Sequence, residues 1–369
     1  KRKVDKKKME QHHDEYLDNP EAANNSRAAA EVVNEVLKRI LDELKPGKNV
    51  YELCVMGDNE IMNEVGKVRK KVKQKGVAFP TCINVNQIVA HNSEVDTKQN
   101  YVLQQNDVVR VDLGVHIDGY IAVAAQTIVL TNETIVGKPA DCIAAADCAI
   151  NACLRLMKPG CKNTELSDVI GAIAAEFDVS AVEGVLCHQM KRYVIDGNQT
   201  ALTKPTEEHQ VDEFEFKPYE TYQLDMVFTT GKSTRLFEGP KKPTIYKRSP
   251  EVATPYFNTK AAQHTYTNMR HFNDLPFSIR ALENPMEGRL GINELYNNRV
   301  VDRFPILMAK RNDFVVHLKT TVHILPSQVK SVTGIPTPQP FQATRHLQNP
   351  AVLDLLNKSL KCKKKRKKK

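Results

Sequence analysis

Residues 112–127 read DLGVHIDGYIAVAAQT, and the pairing inside this stretch decides how the rest of the chain is read. Residues 108–117 alternate and are rich in Val and Ile, Asp118-Gly119 is a strong two-residue hairpin turn, and residues 120–130 return with strand character. With Asp118 and Gly119 as the loop, Asp112 faces Ala125 and Gly114 faces Val123. Alternate residues share a face, so all four lie on one side of the hairpin, with Asp112 and Val123 as diagonal neighbours. Two carboxylates at those positions would suit a divalent metal, but a valine offers neither a lone pair nor a charge. On these residues alone, the hairpin either has lost a metal or is half-buried with a lone aspartate that hydrogen-bonds locally.

With 369 residues, 41% hydrophobic and 26% charged, the chain can bury one large core or two modest ones. No stretch approaches the roughly 18 consecutive apolar residues of a membrane span. The lysine-rich start is followed by no apolar run, so neither membrane insertion nor secretion is expected. Eight cysteines without a CxxC pair read as reduced thiols of a cytoplasmic or nuclear protein, not as a disulfide framework or a zinc site. The net charge of +9 is unevenly placed. Residues 358–369, KSLKCKKKRKKK, carry nine basic residues and no acid, and residues 1–8, KRKVDKKK, contribute a net +5. Taking +9 and +5 from the total leaves residues 9–357 at −5. Basic ends of this kind are expected to be disordered and to bind RNA or other polyanions through counterion release, with little sequence preference. A dense lysine run is also what nuclear import reads.

Helical spacing of Ala29, Val33, Val36, Leu37, Ile40 and Leu44 predicts a helix over 26–44, stopped by Pro46-Gly47, and a second helix follows from about Tyr51 to Lys75. A later pair is expected over about Ala140–Met157, stopped by Pro159-Gly160, and Thr164–Phe177. The two blocks match in letters: LDELKPGKNVYEL (41–53) and LRLMKPGCKNTEL (154–166) share Lys-Pro-Gly and Glu-Leu at an offset of 113. Adding 113 to Asp112 lands on Asp225, in YQLDMVF. This predicts two equivalent halves, each bringing one aspartate to a shared centre. Residues 230–250 are Gly-, Pro- and Lys-rich and read as a long loop, 258–304 as an inserted helical subdomain, 313–326 as strand, and Ala351, Leu353, Leu355 and Leu356 as a short amphipathic piece. The expected organisation is a basic flexible tail over 1–20, a main domain over 21–335, an extension over 336–357 and a basic tail over 358–369.

AFPTCINVNQIVAHNS (78–93), VRVDLGVHIDGYIA (109–122), EGVLCHQMKRYVIDG (183–197), TIYKRSP (244–250) and VVHLKTTVHILP (315–326) together resemble the type 2 methionine aminopeptidases. They are more similar still to the non-enzymatic, proliferation-associated relatives of those enzymes, which associate with ribosomes. The resemblance runs from about residue 20 to 335 and implies an α/β (α+β) pita-bread fold of two pseudo-symmetric halves. The helical insertion corresponds to the one that marks type 2 members. In the peptidases, two aspartates, one histidine and two glutamates hold two divalent ions. By motif the resemblance matches them to Asp112, Val123, His188, Asp225 and Lys319. Cys187 stands where a glycine is expected before His188, and Asp225 is a shorter acid still able to ligate. His91 matches a substrate-facing histidine, while a second is lost near Ile195.

The full ligand set supplies −4 to two dications, whereas Asp112, Asp225 and Lys319 sum to −1 with His188 neutral. An ammonium about 4 Å from a dication repels it by roughly 8 kcal/mol at an effective dielectric near 20. Without a metal pair no bridging water is activated. The reading is therefore a pseudoenzyme with no cofactor and no metal, in which Lys319 occupies the vacated cation position and pairs with Asp112 or Asp225. His188 reads as a hydrogen-bonded core histidine. His91 is either structural or lines a pocket that accepts a peptide end. The resemblance implies docking on the large ribosomal subunit near the peptide exit and shuttling between cytoplasm and nucleolus; a monomer with no membrane partner is expected. Candidate nucleic-acid contacts are Lys241, Lys242, Lys247 and Arg248 in the loop and Lys363, Lys364, Lys365, Arg366 and Lys367 in the tail; the loop cations are otherwise plain solvated surface. Two rival readings are an active dinuclear aminopeptidase with altered ligands and a nucleic-acid-binding transcriptional regulator. No zinc finger, recognition-helix motif or aromatic stacking platform favours the latter.

Overall fold

The structure is a computed structural model that describes residues 16–96, 101–252 and 255–362. Helices α1 (Pro20–Glu43) and α2 (Val50–Lys67) precede strands β1 (Lys75–Val85), β2 (Val108–Ile117) and β3 (Tyr120–Val129). Helices α3 (Lys138–Leu156) and α4 (Thr164–Glu176) precede β4 (Leu186–Met190), β5 (Thr200–Leu202) and β6 (Thr221–Thr229). After the strand β7 (Ile245–Arg248) come α5 (Lys260–Met269), α6 (Pro285–Asn297), β8 (Val301–Phe304), β9 (Val315–Ile324) and α7 (Pro350–Asn357).

Seven strands form the spine of one sheet in the order β1-β2-β3-β9-β6-β4-β5, and Ser180–Ala181 and Val329–Ser331 bring it to nine. Both helix pairs lie on the same face. Val33, Val36, Leu37 and Ile40 of α1 bury against Val111, Leu113 and Val115 of β2, while Ile143 and Ala146 of α3 and Ile170 of α4 bury against Leu224, Met226 and Val322. The two halves meet at β3 and β9, with helices outside and a curved inner face. This is the expected pita-bread arrangement.

The hairpin register is as the numbering requires: Asp112 faces Ala125 and Gly114 faces Val123. Asp118 (φ 55°) and Gly119 (φ 79°) supply the two left-handed positions of a type I′ turn. Gly119 has a second constraint, because a Cβ there would lie 2.4 Å from the Tyr193 ring. The seam between the halves is less regular. Lys319↔Ala125 is the one paired position between β9 and β3, and side-chain hydroxyls complete the junction. Thr321 Oγ1 accepts from Val123 N at 2.8 Å, Thr333 Oγ1 donates to Val123 O at 2.6 Å, and Thr127 Oγ1 bridges His317 N and O at 2.8 Å each.

Several expectations are corrected. Helix α1 begins at Pro20, not Ser26, because Asn19 caps it (Oδ1 accepts from Glu21 N at 2.8 Å) and proline fits the first turn. Helix α2 stops at Lys67, not Lys75: Arg69 adopts φ 45° and Lys75 is already in β1. The long loop expected over 230–250 contains the short strand Phe237–Glu238 and β7, and β7 pairs with β8 and with Phe277–Ser278. The inserted segment combines helices and these short strands around a separate cluster of Tyr246, Phe277, Ile292, Leu295 and Val300. In α7 the buried positions are Val352 and Leu355, while Ala351 and Leu353 face solvent. Parts of both segments assigned to the tails are built into the fold. Leu17 is buried with its N–H bonded to Tyr219 O, and residues 358–362 are held by Leu360 O accepting from Val329 N and Cys362 N donating to Ser327 O. Lys363, Lys364, Lys365, Arg366 and Lys367 lie outside the described residues.

Candidate functional site: a buried lysine between two aspartates

Register alone assembles the centre of the inner face. Cys82 of β1 pairs with Asp112 of β2, Asp112 with Ala125 of β3, Ala125 with Lys319 of β9, and Lys319 with Asp225 of β6. Paired positions share a face, so one straight row across five strands carries two carboxylates and the ammonium between them. Strands about 4.8 Å apart put Asp112 two spacings from Lys319. The lysine side chain spans that gap because the residue between them is only an alanine.

Lys319 Nζ donates to Asp112 Oδ2 at 2.7 Å and lies 3.1 Å from Asp225 Oδ2. Lys319 and Asp112 are 9% and 3% exposed, so water screens little of this interaction. Burial works against the lysine's charge, but the two carboxylates outweigh it and raise its pKa above the usual ammonium range. At Asp225 burial pushes upward, yet Lys319 and His317 prevail and hold it below the usual carboxylate range. The Lys319 ammonium also faces the Phe79 ring, 5.7 Å from its centroid.

The sequence reading missed His317. Its Nε2 donates to Asp225 Oδ1 at 2.7 Å, and it is 3% exposed. The signal was available: two residues before Lys319 on one strand means the same face. Val123 is 1% exposed and packs with Phe79, Ile121 and Ile195, so an apolar cluster occupies this corner of the site.

Phe79, Asp112, Val123, Asp225, His317 and Lys319 line a cavity of about 280 Å³ together with His91, His188 and Ile195. His91 sits at φ 65°, donates from Nδ1 to Pro305 O at 2.9 Å and meets the Phe79 and Phe304 rings. His188 donates from Nδ1 to Gly197 O at 3.2 Å. Burial lowers the pKa of both, favouring neutral rings. The structure thus brings Asp112, Val123, His188, Asp225, Lys319 and His91 to one cavity. It does not bring the surface candidates there as free cations. Lys241 is paired with Glu94, Lys247 with Asp196, and Arg248 Nε bonds Asp274 Oδ1 at 2.8 Å. Most of the loop's cations are thus already paired; of that set only Lys242 is exposed without a pair among the described residues.

A helix-backed, two-halved sheet with its polar residues gathered on the inner face defines the class. Residues 24–230 match metallopeptidase family M24, and the chain belongs to that family. Within it, the chain is 38% identical over 337 residues to ErbB-3 binding protein 1 of Solanum tuberosum, covering 90% of this chain and 86% of that one. It is 31% identical to the curved DNA-binding protein of Schizosaccharomyces pombe, covering 96% and 94%. A solved structure of a thermophilic Arx1 shares the fold with a TM-score of 0.87 at 21% identity, over 93% of this chain and 99% of that one.

A metallopeptidase centre calls for metal, and the donor set here fits it poorly. One oxygen of each aspartate already contacts the Lys319 ammonium, Asp225 Oδ1 accepts from His317, and Val123 provides no donor. Asp112 Oδ1 is the one carboxylate oxygen of the pair left without a partner among the described residues, too few for a dication held beside a fixed ammonium. Among the described residues, no group of three or more His, Cys, Asp or Glu is placed to hold a metal ion.

Proposed function

We propose that this chain is a non-catalytic M24 protein, a pseudoenzyme whose scaffold serves as a ribosome- and RNA-associated binding factor near the peptide exit of the large subunit. The observation that carries the first part is Lys319 Nζ within hydrogen-bonding distance of both Asp112 and Asp225. A fixed cation takes the place in which family chemistry requires a removable one, so no metal-bound water is available to attack a peptide bond. On this reading Asp112, Val123, His188, Asp225 and Lys319 are the remnants of a metal site.

The binding role draws on other features. Basic runs at both ends of the sequence offer phosphate contacts, and the fission-yeast relative is named for binding curved DNA. Ribosomal RNA is the polyanion implied by the resemblance to ribosome-associated relatives. Growth control and passage between cytoplasm and nucleolus follow as the setting for such a factor, which acts as a monomer.

Two measurements test this. The first is metal content after incubation with Mn²⁺ or Co²⁺, for the wild type and a Val123→Asp, Lys319→Glu double variant. No metal in the wild type and metal in the variant is the expected result; two equivalents in the wild type would overturn the non-catalytic reading and call for a peptidase assay. The second is co-sedimentation with large ribosomal subunits over a salt series. Binding that weakens steeply with salt and ignores RNA sequence is expected, whereas selectivity for one DNA sequence would favour a transcriptional regulator.

A further inference from the structure

The early end of α2 exposes a basic loop. Residues 66–76, GKVRKKVKQKG, hold six cations and no acid. Read as a continuous helix they are a solvated helical face, but the structure makes them the connection from α2 to β1. Three of the six are occupied in shaping that connection. Lys67 pairs with Glu64 at 2.7 Å, Arg69 Nε donates to Asn25 Oδ1 at 2.7 Å, and Lys75 Nζ donates to Val68 O at 2.8 Å. The turn is closed by Val72 N donating to Arg69 O at 2.8 Å. The other three, Lys70, Lys71 and Lys73, are exposed, and none has a side-chain partner among the described residues.

This reverses the ranking of surface cations. Those of the 241–248 stretch are largely neutralised by Glu94, Asp196 and Asp274, whereas those of the α2–β1 loop are held on a fixed backbone with their charge unspent. Val68 and Val72, the apolar side chains of the loop, pack against the core of the first half. The loop therefore presents charge without an apolar residue to insert into a bilayer.

We infer that Lys70, Lys71 and Lys73 form a phosphate-binding surface that contacts an RNA backbone, a site distinct from the terminal basic runs. It rests on the RNA-binding role proposed above and names one place where that role is carried out. Three point charges on a turn contact phosphates and read no bases. Their contribution is sequence-independent and adds to the salt dependence of binding.

The test uses the full chain and a fluorescently labelled RNA duplex of mixed sequence. It compares the wild type with a Lys70→Ala, Lys71→Ala, Lys73→Ala variant and with the corresponding triple Lys→Arg variant. Each lost phosphate contact removes roughly 0.7–0.9 from the slope of log K against log salt. The alanine variant should therefore lose about 2 to 3 from that slope, with an unchanged melting temperature, and the arginine variant should keep the wild-type slope. RNA binding by the wild type with an equal slope in the alanine variant overturns the loop site and leaves the general RNA-binding role intact. No RNA binding by the wild type overturns both. Phosphatidylserine-containing vesicles bound by the wild type and lost in the alanine variant, with RNA binding unaffected, would assign the loop to membranes and overturn the inference.

Discussion

Two regions of the molecule set cations against carboxylates, and they differ in how far water reaches them. On the inner face, Lys319 lies between Asp112 and Asp225 with side chains 10%, 4% and 15% exposed. Along the 241–248 stretch the cover is uneven: Lys241–Glu94 and Lys247–Asp196 are half-buried, and the Arg248–Asp274 pair, 41% and 51% exposed, stands in water. The chemistry is the same, but the surroundings decide what each pair does. Remove the buried cation and two carboxylates remain where little water reaches; remove an exposed one and solvent replaces it. The inner cluster is thus a condition of the fold, whereas the Arg248–Asp274 pair trims an already folded strand.

The strongest challenge to this contrast is Lys319→Ala. Breaking a buried ion pair from one side costs about 3–5 kcal/mol, so denaturant unfolding should show a loss of that size, partly recovered when Asp112→Asn is added. A loss under about 1 kcal/mol would mean that water reaches the cluster, as it does exposed pairs. His323 sharpens the contrast with a buried base that has no acid beside it. It hydrogen-bonds Ser26 Oγ at 2.9 Å, and burial holds its pKa at about 4. An unfolded histidine titrates near 6.5, so between about pH 6.5 and 4 the unfolded chain takes up the proton first. His323 should therefore contribute fully to stability above that window and progressively less as pH falls through it, on the order of 3 kcal/mol in all. Unfolding of His323→Gln measured across the window should follow a flatter pH curve. Next in size is Ala125→Leu, which puts bulk under the reach of Lys319 toward Asp112. A cost of about 1–3 kcal/mol is expected, and it should shrink in the Lys319→Ala background if the two residues act through the same row. The smallest effect belongs to Arg248→Ala, at about 0.2–1 kcal/mol and diminished by salt; a larger, salt-insensitive loss would erase the distinction between the two regions.

Much of the centre was legible because strands impose arithmetic. A two-residue turn at Asp118-Gly119 fixes every partner in the hairpin, and an offset of 113 carried Asp112 to Asp225 in the other half. The same alternation, applied two residues before Lys319, would have found His317. What stayed hidden depends on residues far away in sequence. Nothing in VRKKVKQK breaks a helix locally; α2 ends where Arg69 turns to a positive φ and reaches Asn25, 44 residues earlier. The 230–250 stretch has loop composition, yet Ile245–Arg248 becomes strand because β8 and Phe277–Ser278 flank it. Lys241 looked free because Glu94 precedes it by 147 residues. Local chemistry names a cation, but only packing shows whether its charge is already matched.

The junction between the halves has a further consequence. A continuous backbone ladder shares load among many parallel bonds, whereas the line between β3 and β9 has one paired position and otherwise rests on side-chain bonds between the halves, among them those of Thr127, Thr321 and Thr333, the Arg110 guanidinium on Val315 O and the Lys319–Asp112 salt link. Mechanically, this is a perforation. Under tension applied across the sheet, the protein should tear there into two intact leaves before either leaf unravels.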